Sequence, residues 1–325
     1  MLVTFPVGDE CLRQITTVSP RIKLRDVSDL VRAERRRDFT SEEQFDALLA
    51  EAEVIYGLAL PRNVIARAPQ LKWVQVMSAG VDGFLDNEIL QSPVIVTNMS
   101  GVNATPIGEF VLGLMLMFVK RAPSCFQLKQ EKRWKRFNPA VLHSKTVGIV
   151  GLGSIGQEVA RLAKSFGMRV VAIRRSVKGL AKAKYVDIMF HKEQLLQLLT
   201  ESDFVVLSLP LTPETDRLIG EKELRAMKST VYLINVSRGG IVDEEALIHA
   251  LDEHWIAGAG LDVFANEPLP ADSRLWKLPN VILSPHVAGL MEDYNIRANE
   301  VFCENLRRYL DGKKLLNVIS KKKRY

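Results

Sequence analysis

Residues 145–167 read KTVGIVGLGSIGQEVARLAKSFG. Three glycines directly follow a short apolar run and open a helical pattern. In such a strand–turn–helix, the first glycine permits a tight turn, the second lets the backbone approach a pyrophosphate, and the third lets helix and strand pack closely. The helix N-terminus offers unpaired amides to the phosphates. The stretch therefore predicts a dinucleotide site at Gly151, Gly153, Ser154, Ile155 and Gly156.

The end of the next strand selects the cofactor. In NAD-binding units an acidic residue stands there, about 20 residues after the glycines, and binds the ribose hydroxyls. This chain has Arg174 instead, followed by Arg175 and Ser176. A guanidinium suits a ribose 2′-phosphate through charge-assisted, often bidentate hydrogen bonds. The sequence therefore predicts NADP in preference to NAD.

Strand and helix patterns alternate on both sides of this stretch. That alternation is typical of α/β proteins, with parallel sheets covered by helices. We expect two doubly wound, Rossmann-like parallel-sheet domains with a cleft between them. The dinucleotide-binding domain is predicted at 103–289, and the substrate-binding, flavodoxin-like domain at 1–102 plus 290–325. A long helical pattern from Thr105 to about Arg133 contains Pro123, which predicts a kink or a split there.

Composition narrows the class of protein. The chain has 325 residues, 47% of them apolar, and a net charge of +6. The basic residues lie in scattered patches without a nucleic-acid motif, so we expect no nucleic-acid partner. The three cysteines are far apart and lack metal-ligand spacing, which indicates reduced thiols in a cytoplasmic protein without a bound metal. Neither a secretory signal nor a membrane-spanning stretch is expected.

Polar residues follow three strands of the second half. INVSRGG places Arg238 after one strand, LDVFANEP places Asp262 and Glu267 at and after the next, and SPHVAG places His286 after the last. Ligands of open α/β sheets bind beyond the carboxyl ends of the strands, so these groups are expected to converge there.

The ordered series GLGSIG, SLPLTPET, INVSRGGIVDEEAL, LDVFANEP and SPHVAG resembles that of the D-isomer-specific 2-hydroxyacid dehydrogenases. LKWVQVMSAGVD is similar to the substrate loop of that family, and NMSGVNATPIGEFVLGLML to its interdomain helix. The resemblance extends from about residue 70 to residue 310 and is specific for the superfamily.

The resemblance implies a role for each matching residue. His286 would protonate the substrate carbonyl, Glu267 would orient His286, and Arg238 would hold the 2-oxo acid by its carboxylate. The backbone amides of Ser78, Ala79 and Gly80 would bind the same carboxylate. Further cofactor contacts would come from Leu209, Pro210, Thr215, Val236, Ser237, Asp262, His286 and Gly289.

The resulting hypothesis is an NADP-dependent enzyme that interconverts a 2-oxo acid and a D-2-hydroxy acid, with glyoxylate or hydroxypyruvate as the expected substrate. The resemblance also implies a homodimer. The alternative is a dinucleotide-sensing scaffold like the transcriptional corepressors of the same fold. The shortness of the flanking segments favours the enzyme, and it also argues against the regulatory domain of long phosphoglycerate dehydrogenases.

Overall fold

The computed structural model describes residues 1–81, 87–174 and 183–322. The strands are β1 (Leu2–Val3), β2 (Arg25–Asp26), β3 (Val54–Gly57), β4 (Trp73–Val76), β5 (Ile95–Thr97), β6 (Thr146–Val150), β7 (Arg169–Ile173), β8 (Ile188–Phe190), β9 (Phe204–Leu207), β10 (Tyr232–Asn235), β11 (Gly258–Leu261) and β12 (Val281–Leu283). The helices are α1 (Asp9–Thr17), α2 (Ser28–Arg35), α3 (Glu42–Ala50), α4 (Val64–Arg67), α5 (Asn87–Gln91), α6 (Ala104–Val119), α7 (Ala122–Gln130), α8 (Ser154–Ser165), α9 (Leu195–Glu201), α10 (Glu221–Ala226), α11 (Glu244–Asp252) and α12 (Tyr294–Leu310).

The chain divides into two compact units. Unit 1 comprises Met1–Val102 and the residues from Met291 onward, and unit 2 comprises Asn103–Leu290. Unit 1 contains a five-stranded sheet and unit 2 a seven-stranded sheet. All the pairings between these strands are parallel. The predicted α/β class with two parallel-sheet domains is confirmed.

The sheet of unit 2 has the strand order β12-β11-β10-β9-β6-β7-β8. From β6 the chain proceeds outward to β7 and β8, then returns to β9 on the other side of β6. The order therefore reverses between β6 and β9, and the carboxyl ends of strands at such a switch point border a ligand-binding crevice. The glycine turn follows β6 directly, at this point of the sheet.

Both faces of the central part of this sheet are buried, which explains why its strands are mostly apolar. Alternate residues of β9 illustrate the arrangement. Phe204 and Val206 pack in a cluster with side chains of α6 and α8, whereas Val205 and Leu207 pack with those of α9, α10 and α11. The sheet is consequently held from both sides, and the loops at its carboxyl edge rest on a packed core.

The long helical pattern after residue 104 forms two helices, α6 and α7, with an angle of 61° between them. Arg121 has a left-handed backbone conformation (φ 56°) at the junction, and Pro123 lies in the first turn of α7. Proline lacks an amide hydrogen, so it is tolerated in a first turn but not in a helix interior. The predicted break is confirmed. Within the described ranges no single helix is long and apolar enough to cross a membrane, and α6 and α7 meet that criterion only as a bent pair.

The sheet of unit 1 has the order β2-β1-β3-β4-β5. α12 returns from the far end of the sequence and covers one face of it. The Phe302 ring stacks on Tyr56 of β3, with centroids 4.0 Å apart, and lies 5.5 Å from the Trp73 ring of β4. Asn305 Nδ2 donates to Gln75 Oε1 at 3.0 Å, a buried bond that fixes α12 against β4.

One strand, β8, was not predicted from the sequence. It has three residues and stands at the edge of its sheet, paired only with β7 among the described strands. So short an apolar run carries little periodic signal, and its position comes from the sheet rather than from local preference.

Candidate active site

The three glycines of the turn have three different surroundings. Gly151 has φ +104°, and a Cβ there would lie 2.6 Å from the Ser208 carbonyl oxygen. A Cβ on Gly156 would lie 2.2 Å from the Gly151 carbonyl oxygen. A Cβ on Gly153 would meet nothing within 4 Å among the described residues. Gly151 and Gly156 therefore make the turn possible, while Gly153 leaves open space beside its backbone, as a bound pyrophosphate requires.

The helix after the turn presents amides to this space. α8 starts at Ser154, so the amides of Ser154, Ile155 and Gly156 have no carbonyl of the preceding helical turn to bind. Ser208, just after β9, donates its hydroxyl to the Gly151 carbonyl at 2.8 Å and holds the turn in place. The residues of the turn thus fit the phosphates of a dinucleotide.

Arg174 directly follows β7, and its side chain is exposed. It makes no hydrogen bond or ion pair with another residue of the described ranges. The neighbouring residues named for the same role, Arg175 and Ser176, lie outside the described residues.

The segment after β9 is closed by Thr215. Its hydroxyl donates to the Pro210 carbonyl at 2.7 Å and accepts the Thr212 amide at 2.8 Å. Leu209 packs partly buried against the core, whereas Pro210 is exposed. These bonds show what Thr215 does for the loop; the contact with a cofactor stays a prediction.

Arg238 stands in a tightly held turn after β10. Asn235 Nδ2 donates to the Arg238 carbonyl at 3.0 Å, and Asn235 Oδ1 accepts the amide and the hydroxyl of Ser237. The half-buried Arg238 guanidinium donates to the Ser237 carbonyl at 2.7 Å. A Cβ on Gly239 would lie 1.9 Å from the Phe264 carbonyl carbon, so this turn packs directly on the loop after β11. Buried Val236 and Ser237 lie in the same turn.

Glu267 and His286 meet beyond the neighbouring strands β11 and β12. Glu267 Oε2 lies 2.7 Å from His286 Nδ1, and Glu267 Oε1 accepts the Phe264 amide at 3.1 Å. The side chains are 37% and 48% exposed, so the pair is reachable from solvent. Because Nδ1 is engaged by the carboxylate, Nε2 is the ring nitrogen left to exchange a proton with a bound molecule.

Asp262 is 2% exposed and organises the loop that carries the imidazole. Its carboxylate accepts the Ser284 hydroxyl at 2.6 Å and the amides of Val287 at 2.9 Å and Ala288 at 3.0 Å. His286 itself has a left-handed backbone (φ 55°), and its amide donates to the Asp262 carbonyl at 2.9 Å. Asp262 was predicted as a cofactor contact. The structure adds a different role, since the carboxylate shapes the 284–288 loop.

Gly289 ends this loop. Asn103 Nδ2 donates to the Gly289 carbonyl at 2.9 Å, and a Cβ on Gly289 would lie 2.7 Å from that same nitrogen. The start of α6 therefore holds the loop from the other side.

In unit 1, the loop of Ser78, Ala79 and Gly80 follows β4 and is half-buried. No acceptor in the described ranges binds the amides of these three residues. The carbonyls of residues 77–80, in contrast, are all bonded. The donors are Tyr294 Oη to Met77 O at 2.6 Å, Met99 N to Ser78 O at 3.1 Å, Asn98 Nδ2 to Ala79 O at 2.5 Å and Ser78 Oγ to Gly80 O at 2.5 Å. Successive backbone amides that point into one concavity form an anion-binding site.

Sequence reasoning did not find the residues that support these groups. Asn235, Ser284 and Asn98 each bind a backbone or side-chain group of a predicted site residue. Tyr294 binds the carbonyl of Met77, the residue before Ser78. For Asn235 and Ser284 a signal existed, because each is a polar residue at the end of an apolar strand. Nothing in the sequence around Tyr294 indicates that it lies next to Met77.

Comparisons with known proteins identify the family. A family profile described as "D-isomer specific 2-hydroxyacid dehydrogenase, NAD binding domain" matches residues 112–288. A glyoxylate reductase of Korarchaeum cryptofilum (strain OPF8) is 40% identical over 267 residues, which cover 79% of each chain.

Solved structures resemble the whole chain. A D-isomer specific 2-hydroxyacid dehydrogenase from Xanthobacter autotrophicus Py2, in complex with NADPH and MES, has a TM-score of 0.85 and 30% identity, and the match covers 100% of this chain and 99% of that one. An NADPH-dependent glyoxylate/hydroxypyruvate reductase from Sinorhizobium meliloti, in complex with NADP and sulfate, has a TM-score of 0.84 and 26% identity with the same coverage. The chain belongs to the D-isomer specific 2-hydroxyacid dehydrogenase family and contains its NAD-binding domain.

Proposed function

We propose that the protein reduces a small 2-oxo acid, of the glyoxylate or hydroxypyruvate class, to the D-2-hydroxy acid with NADPH. The observation that carries the proposal is the 2.7 Å contact between His286 Nδ1 and Glu267 Oε2 at the carboxyl edge of the sheet that holds the glycine turn. The glyoxylate reductase from Korarchaeum cryptofilum supports the substrate class.

His286 acts as the general acid in this proposal. Glu267 holds Nδ1 and thereby fixes the orientation of the ring, so that Nε2 delivers the proton to the carbonyl oxygen of the substrate. A positioned general acid contributes about 10²–10⁴-fold to a rate. The bound reduced nicotinamide supplies the hydride.

Arg238 polarises and holds the 2-oxo acid. Its guanidinium suits a carboxylate because the planar donors match both oxygens. The backbone of the turn that carries it is fixed by Asn235 and packed on Phe264, and the guanidinium itself donates to the Ser237 carbonyl. We assign a second carboxylate contact to the free amides of Ser78, Ala79 and Gly80.

Unit 2 binds the dinucleotide in this proposal. We expect cofactor contacts from Leu209, Pro210, Thr215, Val236, Ser237, Asp262 and Gly289 in addition to the glycine turn. The preference for NADP rests on exposed Arg174 at the end of β7. The solved relatives that contain NADPH or NADP support it.

The test is a panel of 2-oxo acids assayed with NADPH and with NADH. The wild-type protein should consume NADPH with glyoxylate or hydroxypyruvate and show a lower kcat/KM with NADH. Arg174→Asp should raise the KM for NADPH by about tenfold or more and leave the KM for NADH within about twofold, since one charge-assisted contact is lost.

Lys222→Asp is the matched control, because it makes the same charge change at an exposed position on α10. It should leave both KM values unchanged. Equal losses with the two cofactors in Arg174→Asp would contradict the assignment of the 2′-phosphate site, and no turnover of any 2-oxo acid by the wild type would contradict the enzyme itself.

We further propose that the protein is a cytoplasmic homodimer. Exposed aromatic side chains between residues 122 and 141 support the dimer, with Phe126 58% and Trp134 92% exposed. Contiguous apolar surface marks contacts between proteins, and these two side chains lie in one segment of the chain. The three free cysteines fit a reducing compartment.

A further inference from the structure

The loop assigned to the substrate carboxylate is anchored through its carbonyls. Each carbonyl from Met77 to Gly80 accepts a hydrogen bond from within unit 1. The donors from Met99 and Asn98 come from the chain just after β5, the neighbouring strand. Because the carbonyls are all engaged, the peptide planes are fixed, and the direction of the amides of Ser78, Ala79 and Gly80 is fixed with them.

One of these donors comes from a distant part of the sequence. Tyr294, the first residue of α12, donates its hydroxyl to the Met77 carbonyl at 2.6 Å. The peptide that carries this carbonyl also contains the Ser78 nitrogen, so the phenol fixes the plane from which the first free amide projects. Met77 N is held as well, by the Gly57 carbonyl of β3 at 2.9 Å.

The helix that carries Tyr294 is itself rigidly placed. Phe302 packs on Tyr56, and Asn305 Nδ2 bonds Gln75, two residues before Met77 in the chain. Asn299 Nδ2 donates to Gln14 Oε1 at 2.8 Å on α1. α12 therefore contacts both Gln75 of β4 and Met77 just after that strand. Tyr294 is held by packed neighbours, and because its side chain has few rotatable bonds, fixing it costs little conformational entropy.

We propose that Tyr294 is a positioning residue for the substrate carboxylate: through the Met77 carbonyl it sets the direction of the free amides at Ser78, Ala79 and Gly80. This inference rests on the proposed function, because it assumes that those amides bind the 2-oxo acid. Amides that already point in the productive direction need not be ordered when the substrate binds, so binding costs less conformational entropy. Loss of the Tyr294 hydroxyl removes this ordering and therefore weakens the affinity for the substrate.

The phenol remains a donor over the working range of the enzyme. Burial raises the pKa of Tyr294 to about 12, so the hydroxyl keeps its proton at neutral and moderately alkaline pH. The contact is consequently independent of pH where the enzyme would be assayed.

The test is Tyr294→Phe in the full chain, which removes one oxygen and keeps the ring. We expect the KM for glyoxylate, or for the 2-oxo acid that the wild type reduces best, to rise by about fivefold to tenfold. The inhibition constant of oxamate, an unreactive carboxylate, should rise by a similar factor. kcat should stay within about twofold, and the dissociation constant of NADPH should not change, because the glycine turn lies in unit 2.

Tyr309→Phe is the matched control. Tyr309 lies on the same helix, with its ring 5.4 Å from that of Trp73, but its hydroxyl has no hydrogen-bond partner among the described residues. This variant should leave the KM for the 2-oxo acid and the oxamate constant unchanged. Melting temperatures of both variants, measured with NADPH, separate a positioning effect from partial unfolding.

Several outcomes would overturn the inference. An active Tyr294→Phe enzyme with the wild-type KM for the substrate and the wild-type inhibition constant for oxamate would overturn this inference and leave the proposed function standing. A parallel weakening of NADPH, or an equal change in Tyr309→Phe, would show a general loss of structure and also overturn it. A wild-type protein that reduces no 2-oxo acid would overturn the proposed function, and this inference with it.

Discussion

Among single residues, Asp262 shows why a site cannot be assigned from residue types alone. A buried carboxylate must be hydrogen-bonded to be stable, and Asp262 accepts three donors from the 284–288 loop. A substitution there would alter the loop as well as any cofactor contact. Loss of activity in an Asp262 variant therefore says little about contact with the nicotinamide, whereas substitutions at His286 are easier to interpret because the side chain is half exposed.

His286→Ala removes the group to which we assign proton donation. We expect kcat for reduction of the 2-oxo acid to fall by about 10²–10⁴-fold, because the carbonyl oxygen loses its positioned general acid. The dissociation constant of NADPH, measured by fluorescence titration, should stay within about threefold, since we assign binding of the dinucleotide mainly to the glycine turn.

His254→Ala is the control for that variant, because His254 is an exposed imidazole after α11. It should keep wild-type kcat. If His286→Ala kept nearly full kcat, the proton donor would be another residue. If the variant lost NADPH binding together with kcat, the substitution would have damaged the loop.

At the scale of secondary-structure elements, the turn between β6 and α8 combines two separable properties. Gly156 lies where a Cβ would collide with the Gly151 carbonyl at 2.2 Å, whereas a Cβ on Gly153 would meet nothing within 4 Å in the described part of the chain. Gly156 is needed for the packing of the turn against α8, whereas Gly153 is needed only if a ligand occupies the open space beside it.

This difference predicts opposite results for two alanine variants. Gly156→Ala should lower the melting temperature without cofactor, because backbone must shift to admit the methyl group. Gly153→Ala should keep the melting temperature within about 2 °C but weaken NADPH by about tenfold or more, since the methyl group takes the space of the pyrophosphate.

Gly113→Ala in α6 is a control for the methyl group alone, because a Cβ there also meets nothing within 4 Å among the described residues. It should be neutral or stabilising, by up to about 1 kcal/mol. If Gly153→Ala bound NADPH as tightly as the wild type, the pyrophosphate would not lie beside this residue.

For the whole molecule, exposed aromatic residues bear on the oligomeric state. Phe126 and Trp134, both exposed, lie in the segment that we propose as the contact between subunits. We expect sedimentation velocity to give the mass of a dimer, and the double variant Phe126→Glu, Trp134→Glu to give that of a monomer. Trp276→Glu, at a 56% exposed position elsewhere on unit 2, should remain dimeric. A monomeric wild type would contradict the proposal.

Much of the architecture was predictable from local patterns. Runs such as DFVVLSLP and TVYLINVS identify strands buried on both faces, and the glycine turn indicates the order of strand and helix around it. The break near Pro123 followed from the geometry of proline. The short edge strand β8 was missed because its three residues acquire their structure from β7.

The site was predictable only in part, because it depends both on the order of the strands and on contacts between segments that are distant in the sequence. Arg238, Glu267 and His286 each follow a strand, so topology alone places them at one edge of the sheet. The bond between Glu267 and His286 spans 19 positions in the chain, and that between Tyr294 and Met77 spans 217. Such contacts depend on side-chain packing between distant segments, which no local pattern encodes.

The path of α12 also has a consequence for biosynthesis. Unit 1 starts at the N-terminus, but Phe302 and Asn305, which cover Tyr56 and bind Gln75, belong to the last helix. On the ribosome, the segment that emerges first cannot bury these side chains until unit 2 has been translated. Unit 2 is one continuous stretch, so it can complete its core before the chain that precedes it. The segment before unit 2 is therefore translated earlier than unit 2 but completes its core later, and chaperones can bind its exposed apolar side chains in the interval.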